Sequence, residues 1–444
     1  MSEAVESVAE AVSASPRRGS KMNSGGTTGS AGQGTQGGYF PPDWEMTSLG
    51  ELFTEFRGGA PLKPSDFTAS GVKVLPKGGV GRTGWLQVKD GDFQYCSRRY
   101  AAEHRGNQVD QTYTIVVLRD LVPSGPSIGL VVQIRAEDTY VLAQGVYGFK
   151  VNHVLDTRFL VHLSNTNWYR KLMNSIMVGS TQVHVTNTAF KLVRIPVPSK
   201  AEQSAIASAL SDADALIEAL EQLIAKKRHV KKGAMQELLS PKDGWVEKTL
   251  QNTATLKARI GWQGLTTAEY LDTGDYYLVT GTDFKDGYID WDNCPCVEEL
   301  RYKQDRNIQL RLHDVLVTKD GTIGKVAMVN CLDKPATLNS GVFVIRPIEG
   351  AFHPDFFYYL LCSNVFSEFL AQLSAGSTIN HLYQKDFVTF KYKTPRTIEE
   401  QVTIAAIFSD MDAEISALKA KLFKARQIKQ GMMHNLLTGR TRMI

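Results

Sequence analysis

The chain carries one helical pattern twice, as EQSAIASALSDADALIEALEQLIAKKRHVKKGAMQELL at residues 202–239 and as EQVTIAAIFSDMDAEISALKAKLFKARQIKQGMMHNLL at residues 400–437. The two stretches align without a gap at a constant offset of 198 residues, beginning with Glu202-Gln203 opposite Glu400-Gln401. Self-similarity of this length at a fixed offset indicates two copies of one structural unit. We therefore predict that the chain is built by duplication.

Hydrophobic residues in both stretches follow each other at alternating steps of four and three. This spacing is typical of the seam of a coiled coil. The predicted seam residues are Ile206, Leu210, Ile217 and Leu220 in the first helix and Ile404, Phe408, Ile415 and Leu418 in the second. A helix of about 36 residues is roughly 55 Å long, so the pair is expected to form a rigid rod.

Two lysines that continue the seam, Lys231 and Lys429, predict the direction of the helices. In a parallel pair with symmetric register these lysines would face each other, and like charges would be buried together. In an antiparallel pair with the same symmetry, aspartates of the opposite helix flank each lysine and neutralise its ammonium group. The flanking residues are Asp212 and Asp214 for Lys429, and Asp410 and Asp412 for Lys231. The sequence therefore predicts an antiparallel coiled coil.

The repeat continues more loosely upstream of each helix. The matched positions are Leu121-Val122 with Leu316-Val317, Ile128-Gly129 with Ile323-Gly324, Asp156 with Asp355, Ser164-Asn165 with Ser363-Asn364, and Gly179-Ser180-Thr181 with Gly376-Ser377-Thr378. Short β-rich runs separated by turn residues fill both units, together with one helical stretch in each. The predicted fold class is α+β, with two β-rich domains separated by the two helices and related by a pseudo-two-fold axis.

The predicted boundaries follow from this repeat. They are residues 39–198 for domain 1, 199–240 for the first helix, 241–396 for domain 2 and 397–438 for the second helix. Residues 1–38 are predicted to be a disordered tail. Residues 24–38 contain only Gly, Ser, Thr, Gln and Ala, which cannot bury enough apolar surface to become ordered.

The composition is that of a soluble globular protein. Of 444 residues, 43% are hydrophobic and 22% are charged, and the net charge is only +4, so a nucleic-acid partner has to be inferred from where the basic residues lie. No window holds the roughly 18 consecutive apolar residues of a membrane helix. Acidic Glu3 and Glu6 stand where a secretory signal is basic. We expect a cytoplasmic protein with reduced cysteines, no metal site and no membrane partner.

The residue patterns of enzymes that act on DNA are missing from the sequence. An amino-methyltransferase needs two prolines between a polar residue and an aromatic one, and Phe40-Pro41-Pro42-Asp43 differs at both ends. Asp283-Phe284-Lys285 has no convincing metal carboxylate upstream. Gly79, Gly81 and Gly84 precede a predicted strand, whereas a dinucleotide fingerprint precedes a helix. We predict that the chain is not an enzyme and has no catalytic residues.

Donor side chains in turns and at strand ends of domain 1 are the first candidate DNA contacts. Lys77 and Arg82 lie in a glycine-rich loop that either approaches phosphates or forms a plain hairpin turn. The loop that begins at Gly179 either contacts bases or braces the domain against its helix. The candidates in domain 1 are Lys77, Arg82, Arg98, Arg99, Gln182 and His184.

Domain 2 offers a second set of candidates in corresponding places. Lysines flank a tight turn at Gly321-Thr322-Ile323-Gly324, and two threonines follow the Tyr276-Tyr277 strand. Polar side chains at strand ends can reach base edges in the major groove. The candidates in domain 2 are Thr280, Thr282, Lys319, Thr322, Lys325, Asn380, His381 and Tyr383.

Two functions fit a rod with similar domains at its ends. Readers held at a fixed separation in inverted orientation suit a split target on duplex DNA, whose strands are themselves related by two-fold symmetry. The alternative is a coiled-coil structural adaptor that binds only protein partners. Salt-dependent binding to a duplex distinguishes them, because only a DNA-binding protein releases counterions from phosphates.

The chain resembles the specificity subunits of type I restriction-modification systems over nearly all of residues 39–440. The elements that carry the resemblance recur in order in both halves. They are Pro196-Val197-Pro198 before Glu202-Gln203, Lys393-Thr394-Pro395 before Glu400-Gln401, the loops at Gly179-Ser180-Thr181 and Gly376-Ser377-Thr378, and the turn Asp320-Gly321-Thr322-Ile323-Gly324-Lys325. The corresponding turn of domain 1, residues 124–129, lacks the basic residue at its end.

This resemblance implies a non-catalytic subunit with two target-recognition domains, each followed by a long helix. It implies double-stranded DNA and two methyltransferase subunits as partners, and the latter would carry S-adenosylmethionine. With restriction subunits added, the assembly would cleave DNA using ATP and magnesium. The chain itself would bind none of these cofactors.

Overall fold

The computed structural model describes residues 40–373 and 381–444, and the tail predicted at residues 1–38 lies outside them. The helices of the described chain are α1 (Leu49–Leu52), α2 (Arg98–Glu103), α3 (Thr157–Ser164), α4 (Asn167–Ser175), α5 (Asn187–Leu192), α6 (Lys200–Leu238), α7 (Leu250–Thr253), α8 (Glu299–Lys303), α9 (Pro354–Leu361), α10 (Asn364–Leu373), α11 (Gln384–Phe387) and α12 (Ile398–Leu436). Short 3₁₀ turns join several of the strands. The two longest helices, α6 and α12, are the predicted rod.

Domain 1 is built around two sheets. Its strands are β1 (Glu45–Ser48), β2 (Phe53–Arg57), β3 (Phe67–Thr68), β4 (Val72–Leu75), β5 (Gln94–Cys96), β6 (Gln108–Val109), β7 (Thr114–Val117), β8 (Arg119–Asp120), β9 (Val131–Gln133), β10 (Tyr140–Leu142), β11 (Val146–Val151), β12 (Val183–His184) and β13 (Arg194–Val197). The sheets have the orders β3-β5-β4-β10-β6 and β2-β11-β7-β9. Only β4 and β10 pair in parallel within these two sheets. The pair β1-β13 brings the start and the end of the domain together.

Domain 2 repeats this plan with a larger central sheet. Its strands are β14 (Val246–Thr249), β15 (Ala254–Ala258), β16 (Tyr277–Val279), β17 (Phe284–Lys285), β18 (Tyr288–Ile289), β19 (Val315–Thr318), β20 (Val326–Met328), β21 (Ala336–Leu338), β22 (Val342–Pro347) and β23 (Lys391–Thr394). The central sheet has the order β15-β22-β19-β20-β18-β17. As in domain 1, an antiparallel pair, β14-β23, closes the domain. The predicted α+β class with two repeated domains is confirmed.

Backbone hydrogen bonds identify equivalent residues and correct part of the predicted repeat. Gly129 donates to the carbonyl of Val117 (2.8 Å) and Gly324 to that of Thr318 (2.9 Å), which confirms the match of these glycines. The match of Leu121-Val122 with Leu316-Val317 is wrong. The former pair is exposed in a loop, whereas the latter is buried in β19. The reason is that the connection between strand and glycine is six residues longer in domain 1.

The predicted match is also shifted in the helical stretch of each domain that packs on the long helices. Gln203 accepts a hydrogen bond from the backbone of Asp156 (2.7 Å), and Gln401 accepts one from His353 (2.9 Å). Asp156 is therefore equivalent to His353, and not to Asp355. The helices α4 and α10 both begin with asparagine, at Asn167 and Asn364, so the match of Ser164-Asn165 with Ser363-Asn364 is wrong by two residues. The loop at residues 376–378 lies outside the described residues.

The helices α6 and α12 pack against each other in opposite directions. Ion pairs join Lys231 to Asp412 (2.5 Å), Lys227 to Glu414 (2.6 Å), Arg426 to Glu221 (2.5 Å), and Lys429 to Asp214. Residue numbers that rise along α6 are thus paired with numbers that fall along α12. This observation confirms the antiparallel orientation that the seam lysines predict.

Only one of the two predicted aspartates neutralises each lysine. Lys231 donates to both carboxylate oxygens of Asp412 (2.5 and 2.6 Å), and Lys429 donates to Asp214. The prediction is wrong for Asp212 and Asp410, whose side chains lie on the exposed face of their helices. Residues two apart on a helix point in very different directions, so both aspartates cannot face the same lysine.

A side chain from each domain completes these two ion pairs. Tyr359 of α9 donates its hydroxyl to Asp412 (3.0 Å). At the equivalent place in domain 1, buried His162 lies 3.9 Å from Asp214. Burial, and after it the charge of Lys429, lowers the pKa of His162 to about 4, so this imidazole is neutral at neutral pH. The two ends of the rod therefore share one geometry but differ in chemistry.

The predicted seam residues divide into a central and an outer group. Ile415 and Leu418 form a separate apolar cluster with Ile224, Leu220 and Leu422 between the helices, and Ile217 is half-buried beside it. The outer residues Ile206 and Leu210 instead belong to the core of domain 1, and Ile404 and Phe408 to that of domain 2. The reason is that a third helix, α3 or α9, packs on the rod at each end. The simple two-helix seam is thus confined to the middle.

The end of the chain forms a clasp with the start of domain 1. Arg442 pairs with Asp43 (2.7 Å) and with Glu202 (2.7 Å), which is only 3% exposed. Trp44 also donates its indole N–H to Glu202 (3.2 Å). The hydrogen bond from Arg442 is the main cause that lowers the pKa of the Glu202 carboxyl. The position after α6 that corresponds to Arg442 is occupied by Gly244. A clasp is not required there, because the peptide chain continues directly from α6 into domain 2.

We predict that Lys429 and Asp214 are energetically coupled. A double-mutant cycle of Lys429→Met and Asp214→Asn, followed by urea unfolding, should give a coupling free energy of about 1–2 kcal/mol, because each single change leaves a half-buried charge without its partner. The control pair, Lys429→Met with Asp212→Asn, should be additive. Additivity of Lys429→Met with Asp214→Asn would contradict the antiparallel arrangement.

Candidate nucleic-acid interface

A rigid turn follows the central strand β19 of domain 2. The buried Thr318 side chain donates to the carbonyl of Thr322 (2.5 Å) and accepts the backbone N–H of Lys325 (2.9 Å). Gly321 and Gly324 have φ values of 67° and 79°, which favour glycine over other residues. The predicted contacts Thr322 and Lys325 are therefore presented on a fixed backbone.

Asp320 organises the polar side chains beside this turn. Its carboxylate accepts from Lys319 (3.0 Å) and contacts the ring of His381. The ring of His381 lies 4.5 Å from that of Tyr383, which is 55% exposed. These three predicted residues are thus held together by a carboxylate that the sequence alone did not single out as a contact.

The loop after β16 completes the cluster in domain 2. The hydroxyl groups of Thr280 and Thr282 are 2.7 Å apart, and Asp283 accepts the backbone N–H of Thr280 (2.7 Å). Burial raises the pKa of the Asp283 carboxyl. A Cβ atom at Gly281 would lie 2.7 Å from Thr318, so this loop touches the turn described above. Seven of the eight residues predicted in domain 2 therefore lie at one end of its sheet, and Asn380 lies outside the described residues.

Domain 1 has a cluster at the equivalent place. Leu118 donates to Gly145 (3.0 Å) and accepts from Val185 (2.9 Å), as Lys319 donates to Gly341 (2.9 Å) and accepts from Leu382 (2.8 Å). Arg119 and His184, which pair as neighbours in β8 and β12, therefore correspond to Asp320 and His381. The exchange of an aspartate for an arginine makes the domain 1 cluster more basic. The residues whose backbone hydrogen bonds establish this correspondence are Leu118, Gly145, Val185, Lys319, Gly341 and Leu382.

The domain 1 cluster surrounds a cleft of about 300 Å³. Lys77 lies at its rim, because its Nζ atom is 3.3 Å from the place that a Cβ atom would take at Gly145. Burial, and then the charge of Arg119, lowers the pKa of Lys77. The polar residues that line the cleft are Arg119, Gln144, Tyr147, His184, Thr186 and Asn187. Sequence reasoning missed Arg119 and Gln144, although Arg119 directly follows a buried strand.

Three predicted arginines lie elsewhere. Arg98 and Arg99 begin α2 after β5, and β5 ends opposite Val72 at the start of β4. Lys77 follows the other end of β4, so these arginines lie at the opposite end of the sheet. Arg99 pairs with Glu103 (2.9 Å).

The last two predicted residues of domain 1 also lie apart from the cleft. Arg82 contributes to a separate cleft between domain 1 and α12. Gln182 is exposed at the tip of a hairpin that is closed by backbone hydrogen bonds between Val178 and His184. Of the domain 1 residues, only Lys77 and His184 are therefore brought together.

Comparison with known proteins identifies the family. The sequence profile described as the type I restriction modification DNA specificity domain matches the chain twice, at residues 41–226 and 243–425. The two matches cover most of the chain, so the chain belongs to this family. As a member, it is a non-catalytic specificity subunit that recognises DNA sequence. No helix in the described part of the chain is long and apolar enough to cross a membrane.

Individual relatives agree with this assignment. The specificity subunit of the type I restriction enzyme MjaVIII from Methanocaldococcus jannaschii is 21% identical over 430 residues, covering 90% of this chain and 94% of the relative. The putative MjaX specificity subunit from the same organism is 22% identical over 430 residues, covering 92% and 96%. The crystal structure of the type I restriction-modification S subunit from M. genitalium superposes with a TM-score of 0.59 at 17% identity, covering 90% of this chain and 97% of that one.

We predict that the hydroxyl group of Thr318 stabilises the turn. Thr318→Val keeps the shape of the side chain but removes the hydroxyl that pairs with the N–H of Lys325 and the carbonyl of Thr322, so it should lower the free energy of unfolding by about 2 kcal/mol in urea titrations. Thr255→Val, at an exposed position of β15, is the control and should change it by less than about 0.5 kcal/mol. Equal stability of the Thr318 variant and the wild type would contradict this role.

Proposed function

We propose that the chain recognises a bipartite DNA target, with one half-site for each domain. The antiparallel pairing of α6 and α12 carries this proposal, because it relates the two domains by a pseudo-two-fold axis and so inverts one reader with respect to the other. Duplex DNA presents two half-sites on its strands with the same symmetry. Equivalent polar clusters at the strand ends of both domains supply the contact surfaces.

The chemistry of the two clusters supports base and backbone contacts. Arg119 and Gln144 in domain 1 have the planar donor groups that read guanine and adenine in the major groove. Lysines such as Lys319 and Lys325 suit phosphates, which fix the register of the protein on the duplex. The two clusters differ in their charged residues, so we expect the two half-sites to differ in sequence.

We further propose that the rod holds the domains apart over base pairs that are not read. Each helix has 39 residues and is therefore about 58 Å long. Hydrophobic cores that continue from the domains onto the helix ends fix the separation. The length of the rod then sets the length of the spacer.

An apolar stripe on α6 is the proposed docking surface for a methyltransferase subunit. Leu216, Leu223 and Val230 are spaced by seven residues and are 38–51% exposed, a spacing at which a partner helix can pack. The assembly would contain two methyltransferase subunits and, for cleavage, restriction subunits, and would act on DNA in the cytoplasm. S-adenosylmethionine, ATP and magnesium would be bound by those partners and not by this chain.

Exchange of domain 1 should change one half-site only. A chimaera in which residues 39–198 come from another family member should methylate a target with one new half-site and the original second half-site, because each domain carries its own cluster. Mapping of modified adenines in cells with and without the chimaera measures this result. Two changed half-sites, or none, would refute one half-site per domain.

A longer rod should lengthen the spacer. Insertion of one heptad into both helices, after Gln222 in α6 and after Ala420 in α12, preserves the seam and adds about 10 Å. One base pair rises about 3.4 Å, so the spacer should grow by about three base pairs while both half-sites stay the same. The same mapping of modified adenines tests this, and an unchanged spacer would show that the helices do not set the distance.

A further inference from the structure

Two clefts occupy equivalent places at the ends of the rod. The first, of about 830 Å³, lies between the α3–α4 corner of domain 1 and the C-terminal turns of α12. The second, of about 570 Å³, lies between the α9–α10 corner of domain 2 and the C-terminal turns of α6. Met433 and Thr438 line the first cleft where Met235 and Ser240 line the second. The duplication has therefore preserved both clefts.

The charges in the two clefts differ sharply. The first, which we call the basic cleft, contains Arg82, Lys171 and Arg440, and none of the described residues that line it carries a carboxylate. The second contains one lysine, Lys232, together with Glu368, which stands at the position equivalent to Lys171. One cleft is thus strongly cationic, and the other has no net charge.

The cations of the basic cleft are available to a ligand. Arg82 and Lys171 are exposed and form no ion pair with any residue that the structure describes. Arg440 hydrogen-bonds a ring nitrogen of His434 (2.5 Å) and pairs with no carboxylate of the described residues. Lys429 also borders the cleft, but Asp214 neutralises it. Three positive charges therefore line one cleft without a counterion from the part of the chain that the structure describes.

A short loop joins the basic cleft to the polar cluster of domain 1. Arg82 is only five residues from Lys77, and a chain of five residues spans at most about 17 Å. The loop from Lys77 to Arg82 therefore joins the domain 1 cleft, for which we propose base reading, to the basic cleft. The spacing of successive phosphates along a DNA strand is well within this distance.

We propose that the basic cleft binds phosphates of the DNA backbone beside the half-site of domain 1, and that the second cleft does not bind DNA. This inference rests on the proposed function. The guanidinium, ammonium, amide and hydroxyl donors of the basic cleft are those that commonly contact phosphates. Gln430 and Ser175 add neutral donors to the three cations. An acidic surface of a protein partner could meet the same charges, but the short loop from Arg82 to Lys77 favours DNA, because one DNA strand can reach both the cleft and the polar cluster.

The test is the salt dependence of DNA binding by the full chain, together with the subunits that co-purify with it. Fluorescence anisotropy is measured with a labelled duplex that carries the target mapped in cells. The variant Arg82→Gln/Lys171→Gln should bind more weakly, and its plot of log affinity against log salt should be shallower by nearly two, or about 0.9 for each lost phosphate contact. The matched control Lys232→Gln/Lys391→Gln removes two charges from domain 2 and its cleft and should keep the wild-type slope.

The other possible results distinguish failure of the phosphate site from failure of the proposed function. An unchanged slope in the Arg82/Lys171 variant overturns the phosphate site, and a simultaneous loss of a co-purified subunit shows that the cleft binds protein instead. If the slope of the control variant falls by the same amount, the effect is a general loss of positive charge, and the phosphate site is again overturned. If the wild-type assembly itself binds no duplex, the proposed function fails first. Equal melting temperatures of all variants verify that folding is intact.

Discussion

The antiparallel contact between α6 and α12 is the interaction on which the rest of the molecule depends. A lysine at each end of the seam finds an aspartate on the opposite helix, Lys231 with Asp412 and Lys429 with Asp214. The reverse direction would bring the two lysines together without a counterion. A few charged side chains in an apolar seam thus select one of two orientations that hydrophobic packing alone would leave similar in energy.

The contact between α6 and α12 also sets the orientation of the two domains relative to each other. Each domain buries the first turns of the helix that follows it and the last turns of the other helix, so its core and the rod are one continuous apolar region. Gln203 and Gln401 hold the α3 and α9 corners through backbone hydrogen bonds. Because both anchors are repeated, the strand-end clusters also lie in equivalent positions. The clusters differ in side chains, such as Arg119 where domain 2 has Asp320, and in the length of the connection that follows these residues.

Local patterns were predictable from sequence, whereas contacts that depend on strand order were not. The seam and its direction follow from spacing and charge, and the turn around Thr322 follows from its glycines. The choice of Asp214 over Asp212 depends on helix rotation, which a seven-residue pattern does not resolve. Arg98 lies far from Lys77 because β5 runs back along β4. A loop longer by six residues in domain 1 likewise hides the true partner of β19 from a comparison that relies on residue identity.

The clasp at Arg442 has a consequence for the rotational freedom of domain 1. Peptide bonds connect domain 2 to both long helices, but they connect domain 1 to α6 alone. Its second attachment, to the end of α12, is noncovalent: Leu436 and Leu437 lie in the core of domain 1, and Arg442 pairs with Asp43 and Glu202. A body held at two points cannot swivel about the axis of a rod as one held at a single point can. Successive base pairs of DNA are rotated by about one tenth of a turn, so this attachment keeps the angular phase of one reader matched to that of the other.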